Sequence, residues 1–253
     1  MLTAEKITVR YGEHTAVDQV SLSLEEGQWL MLAGPNGAGK SSLLGALAQG
    51  IPYEGRVTLA GRDLKTLSSR ERAREVGVLQ QRHQVAYAYT VEEIVTLGRY
   101  AHRQGFLAGK DIGDRDAVER ALTETGMMAF RNRSMLELSG GEVQRAFLAQ
   151  VFAQDPKILL LDEPANHLDL PYQKQIYELI QQWGARPGRA VISVVHDLSA
   201  AMRFGTHCLL MRAGKAAATG PVRDVLTPEK LEQVYEMDVY GWMTDLLKRW
   251  GGG

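Results

Sequence analysis

The run Gly34-Pro35-Asn36-Gly37-Ala38-Gly39-Lys40-Ser41-Ser42 contains the pattern G-x-x-x-x-G-K-[ST]. Glycines at 34, 37 and 39 let a backbone bend around phosphate with no Cβ in the way. Successive N–H groups and the positive end of a following helix then face the anion. In this pattern Lys40 reaches the β and γ phosphates of a nucleotide and the Ser41 hydroxyl ligates Mg²⁺. The alternative is a Gly-rich turn that merely caps a helix, and the placement between an apolar strand and a helix argues against it. A second run, Ile158-Leu-Leu-Leu-Asp162-Glu163, ends an apolar strand in two carboxylates. Beside a phosphate loop, Asp162 is expected at the magnesium shell, and Glu163 near the γ-phosphate, where it can orient and deprotonate water. Pro164 then prevents further strand pairing and forces a turn.

A third run, Leu138-Ser139-Gly140-Gly141-Glu142-Val-Gln144-Arg145, carries the S-x-x-E capping box at the start of a helix with Val143, Phe147 and Val151 as its apolar stripe. A well-capped helix needs no glycine. Two in the first turn cost about 1 kcal/mol each relative to alanine, yet they leave bare N–H groups that a phosphate can approach.

These runs need elements to hold them. Short apolar strands alternate with helical segments: Trp29 to Ala33 before Lys40 to Ala48, Ile158 to Leu161 before Pro171 to Trp183, and Ala190 to Val195 before Leu198 to Phe204. That alternation predicts an α/β fold with a largely parallel sheet and ligands at the carboxyl ends of its strands. Ile7 to Arg10, Val20 to Leu24 and Arg56 to Leu59 alternate with period two, as half-buried antiparallel strands do. From about Val91 to Ala153 the apolar residues recur at helical spacing, for example Val91, Ile94 and Val95, so a helical lobe is expected within the α/β core. Gly105 to Arg115 reads as a surface loop, the segment after Pro228 with Leu231, Val234, Tyr235 and Met237 as a short packing helix, and the terminal Gly-Gly-Gly as frayed.

Composition narrows the classes. The 253 residues carry 29 basic and 30 acidic side chains, a net charge of −1, which offers no long-range field for nucleic acid or an anionic membrane surface. Hydrophobic residues at 45% and charged residues at 23% are enough for a sizeable core. The longest apolar runs, Trp29 to Ala33 and Val85 to Tyr89, are far short of the roughly 20 residues of a membrane-spanning helix. The N-terminal residues lack a secretory signal, and the single cysteine, Cys208, excludes an internal disulfide, so a reducing cytosol is expected.

The phosphate loop, the LSGGE run and LLLDEP, in that order and spacing, resemble the ATP-binding cassette family over about residues 2 to 240. The resemblance implies a P-loop NTPase (RecA-like) core with an N-terminal antiparallel β subdomain and an inserted helical subdomain. It gives one domain over 1–253, with the core at 1–84 and 156–240, the helical part at 85–155 and a short tail at 241–253. It implies a head-to-tail homodimer in which Ser139, Gly140, Gly141 and Glu142 of one chain face the nucleotide held by the phosphate loop of the other. Tyr11 matches the aromatic that stacks on adenine, and Ala165-Asn-His-Leu-Asp169 matches the loop that crosses between subunits. Gln81 matches the glutamine that touches Mg²⁺ and the attacking water, although Gln80 stands where the family has proline, which leaves the choice between the two glutamines open. His196 matches the histidine that senses the γ-phosphate, and His167 reads as a loop residue. Glu163, His196 and Gln81 are thus the expected catalytic set, and Ser41, Gln81 and Asp162 the expected Mg²⁺ ligands.

Thr90 to His102, Asn166 to Asp169 and Val225 to Tyr235 resemble cassettes of type II importers for ferric siderophores, haem and cobalamin. That implies a multi-span permease dimer as partner, met by Arg99, Tyr100 and His102, an extracytoplasmic substrate-binding protein acting indirectly, and a peripheral place on the cytoplasmic face of the inner or plasma membrane. A soluble iron–sulfur assembly ATPase stays open as the alternative. A chromosome or repair ATPase needs a long coiled coil between phosphate loop and signature, and no sustained heptads occur there.

Overall fold

The computed structural model describes residues 1–81, 87–102 and 112–250. The run Val85 to Tyr89 falls partly, and the terminal glycines wholly, outside the described residues; so does Gly105 to Asp111 of the expected loop, whose remainder, Ile112 to Arg115, is instead the start of a helix. Two compact units emerge, Met1–Gly61 with Val194–Gly253, and Arg62–Ser193.

The first unit opens with β1 (Leu2–Tyr11), β2 (His14–Leu24), β3 (Trp29–Ala33), α1 (Lys40–Leu47) and β4 (Glu54–Leu59). β1 pairs antiparallel with β2 on one side and β4 on the other, with Leu2 opposite both Leu24 and Leu59. Alternation along β2 buries Val20, Leu22 and Leu24 and exposes Gln19, Ser21 and Ser23, as the period-two pattern predicts. β3 is buried along its whole length, the mark of a strand covered on both faces.

The second unit contains β5 (Arg62–Asp63), α2 (Ser69–Glu75), β6 (Val76–Leu79), α3 (Val91–Leu97), α4 (Ile112–Glu124), α5 (Gly140–Gln154), β7 (Ile158–Asp162), α6 (Leu170–Gly184) and β8 (Ala190–Val194). β6 runs parallel to β7, with Leu79 beside Leu161, and β8 flanks β7 on its other side. Among the described residues, three helices start on reciprocal capping boxes, Ser68 with Glu71, Thr90 with Glu93 and Ser139 with Glu142. α3 buries Val91, Ile94 and Val95, the stripe expected of it. α5 differs from expectation. Val151 is buried, but Val143 and Phe147 are only half-buried, and Ala146, Leu148, Ala149 and Phe152 form the buried surface. The reason is that α5 packs on α3, α4 and β6 together, so more than one stripe is covered.

The chain returns to the first unit with α7 (Leu198–Phe204), β9 (His207–Arg212), β10 (Lys215–Pro221), α8 (Val222–Val225), α9 (Pro228–Tyr235) and α10 (Val239–Trp250). β9 lies between β3, to which it is parallel, and β10, to which it is antiparallel. α9 buries Leu231 and Val234 as expected, whereas Met237 lies beyond its end and is exposed. Among the described residues no helix is long and apolar enough to cross a membrane.

Candidate functional site

In the first unit, β3 delivers the chain straight into the phosphate loop. Gly34 has φ +140°, and a Cβ there would stand 2.2 Å from the Met211 carbonyl oxygen of the neighbouring strand. Gly39 has φ +95°, and its Cβ would meet the Ala16 carbonyl oxygen at 2.2 Å. These two glycines are fixed by close backbone approach as well as by conformation. Lys40 is buried, and its Nζ donates to the carbonyls of Gly34 at 2.8 Å and Pro35 at 2.9 Å, bracing the loop from within. Ala38 is buried beneath the loop, and its carbonyl accepts from Gly214 N–H at 3.1 Å. Asn36, Gly37 and Ser41 lie on the exposed side. Gly39 is the N-cap of α1 and makes no side-chain cap hydrogen bond.

Other predicted residues gather around the same loop. Tyr11 ends β1 and is 53% exposed, and its hydroxyl stands 3.5 Å from Ser42 Oγ on α1. The Val195 N–H donates to Leu32 O at 3.1 Å, which sets the next residue, His196, beside the carboxyl end of β3. Asp197 then caps α7 by accepting from the Ser199 N–H at 2.8 Å. From the carboxy-terminal side, the Tyr235 hydroxyl is hydrogen-bonded to the backbone of Gly34, and burial pushes its pKa up. Nothing in the sequence marked that contact except the aromatic at the end of a packing helix.

In the second unit, β7 ends at half-buried Asp162, and the chain turns at once. Glu163 adopts φ +51°, a left-handed conformation rare for a residue with a side chain. Its Oε2 accepts from Gln81 Nε2 at 2.5 Å and from Asn166 Nδ2 at 2.5 Å. The structure thus brings Gln81 to Glu163, while Gln80 is exposed. Gln144 of α5 donates through Nε2 to the Pro164 carbonyl at 2.8 Å, which ties the LSGGE helix to the turn after Glu163. Ala165 is buried, and His167 is an exposed turn residue as expected.

At the start of α5, Ser139 N–H and Oγ–H both donate to Glu142 Oε2, at 2.7 and 2.8 Å. These hydrogen bonds hold the Glu142 carboxyl below the usual carboxylate range. The two glycines divide. Gly140 is exposed with open space where a Cβ would sit, whereas a Cβ on Gly141 would stand 2.7 Å from the Tyr172 ring of α6. Gly141 therefore has a packing reason that the sequence did not reveal.

The three residues expected to meet a permease are not equivalent. Arg99 donates to Asp114 Oδ1 and to the Ala153 carbonyl, both at 2.8 Å, and His102 Nε2 is 2.8 Å from the Gln154 carbonyl. Both side chains are engaged with the C-terminal end of α5, and only Tyr100, 70% exposed, projects outward.

A phosphate-cradling loop after β3 and an acid pair after β7 define a P-loop nucleotide-binding protein. A profile of the ABC transporter family matches residues 17–166, and the chain belongs to that family. It is 41% identical over 245 residues to the hemin import ATP-binding protein HmuV of Pseudomonas entomophila, covering 94% of each chain. It is 36% identical to the ferric enterobactin transport ATP-binding protein FepC of Escherichia coli, covering 92% of this chain and 86% of that one. With the uncharacterized ABC transporter ATP-binding protein YvrA of Bacillus subtilis it shares 38% identity over 94% of its own length but spans only 54% of YvrA. Among solved structures, an ABC transporter in an inward-facing conformation matches with a TM-score of 0.82 at 25% identity, over 94% of this chain and 89% of that one. The dimeric ADP- and Pi-bound cassette MJ0796 matches with a TM-score of 0.77 at 26% identity, over 88% and 99%.

Proposed function

We propose that this chain is the ATP-hydrolysing subunit of an importer that takes up a metal chelate, ferric siderophore or haem, through a separate permease. The near full-length similarity to hemin and enterobactin import proteins carries the reading. These relatives support ferric siderophore and haem as cargo, while cobalamin, also expected from the sequence, rests on the resemblance alone. Two copies close head to tail on ATP, and the pair sits peripherally on the cytoplasmic face of the membrane against a permease dimer, an extracytoplasmic binding protein handing over the cargo.

Phosphoryl transfer asks mainly for positioning and charge neutralisation. Lys40 and the loop N–H groups from Gly34 to Ser42 hold the phosphates, and Tyr11 stacks on the base. The donor set Ser41 hydroxyl, Asp162 carboxylate and Gln81 amide oxygen consists of hard oxygens, which suit Mg²⁺. These residues would hold the ion, which neutralises phosphate charge when bound. Glu163 orients water and takes its proton, and His196 senses the γ-phosphate. Ser139, Gly140, Gly141 and Glu142 complete the partner chain's nucleotide site.

The test is deletion of the chain followed by uptake of radiolabelled ferric siderophore and of haem, with co-purification from membranes. Loss of one uptake and recovery with a multi-span protein are expected. Recovery only from cytosol, with both uptakes intact, would contradict the proposal.

A further inference from the structure

We infer that Asn166 is a positioning residue for the Glu163 carboxylate, an inference that rests on Glu163 being the group that activates water. Glu163 and Asn166 are three residues apart across a turn that the Asn166 N–H closes on the Glu163 carbonyl at 3.1 Å. The side-chain amide of the same asparagine reaches back to Glu163 Oε2 at 2.5 Å. Its orientation is not arbitrary, because its Oδ1 is occupied by the His167 N–H at 3.0 Å and the NH₂ group is left to face the glutamate. Gln81 donates to the same carboxylate oxygen from the loop after β6. Two N–H donors converging on one oxygen fix the side-chain torsions, and with them the direction in which the carboxylate can meet a water.

Asparagine suits this task because one short amide both accepts from the turn and donates to the acid. Aspartate at 166 keeps the acceptor for the His167 N–H and loses the donor, so it removes the positioning contact and keeps the turn. Alanine removes both.

The experiment measures steady-state kcat and KM for MgATP, together with equilibrium binding of a fluorescent ATP analogue, in purified Asn166→Asp, Asn166→Ala and Glu163→Gln. Both Asn166 variants are expected to lower kcat by about 10- to 100-fold, the size of effect that a misaligned reacting group produces, with KM and nucleotide affinity unchanged. In a Glu163→Gln background, Asn166→Ala is expected to leave the ATP-driven dimer intact. A wild-type kcat in Asn166→Asp would overturn the inference. So would a shift confined to KM, or loss of the dimer in the double variant, either of which places the residue's work elsewhere. If Glu163→Gln itself turns over normally, the reading of Glu163 as the base falls. If Glu163→Gln is inactive while Asn166→Asp is fully active, only the present inference falls.

Discussion

Lys40 is buried and anchored to two carbonyls of its own loop, so its ammonium is held in place before any nucleotide arrives. Removing it should therefore be felt in the ground state. Lys40→Ala is predicted to weaken ATP binding by about tenfold or more, the equivalent of one charge-assisted hydrogen bond, as read by titration calorimetry. Unchanged affinity would exclude Lys40 from phosphate binding. The motif residues were legible one by one because their chemistry demands fixed types at fixed spacings. Gly34 and Gly39 could not be anything larger, given the carbonyls of Met211 and Ala16 against them. What stayed hidden were contacts between residues distant in sequence. Gln81 on Glu163 and Gln144 on Pro164 span 82 and 20 positions, and no local pattern encodes such pairs.

At the scale of elements, the strands and helices flanking the motifs were readable because β3 and the first four residues of β7 are continuous apolar runs, and β8 departs from one only at Ser193. β6, β9, β10 and α10 were not read. β6 is four residues long with a glycine at its second position, and β10 has no fully buried residue, so neither carries a periodic signal. Two predictions belong here. Glu142, and likewise Glu71 and Glu93, sit below the usual carboxylate value of 4.5 because the serine or threonine of each capping box donates to them. A carboxyl whose folded pKa is depressed stabilises the fold fully above its unfolded value and loses that contribution as pH falls through the folded value. Stability should decline below about pH 4.5, and Glu71→Gln should flatten that decline in urea titrations at pH 3.5 to 6. The second concerns α9. Arg212 holds its end by donating to the Gln233 carbonyl and to Glu236, and Tyr235 then meets Gly34. Tyr235→Phe keeps the ring and deletes the hydroxyl, and is predicted to cost about 1 kcal/mol of unfolding free energy in denaturant titrations.

At the scale of the whole molecule, net charge and apolar run lengths excluded classes more than they identified one. Identity came from three motifs in a fixed order, and the fold around them agrees with that order. The LSGGE segment is where sequence and structure complement each other. Its capping box and its packing on α6 account for Ser139, Glu142 and Gly141, while nothing among the described residues stands against Gly140. On the proposed head-to-tail pairing, a molecule that carries a phosphate loop and a signature on one chain holds half of two sites. The measurement that tests this most directly is size-exclusion chromatography of Glu163→Gln with and without MgATP, paired with its ATPase rate. The account predicts a dimer that forms only with ATP and persists, at a turnover reduced by about 10²–10⁴-fold. A Glu163→Gln chain that stays monomeric with ATP and hydrolyses it at the wild-type rate would contradict it.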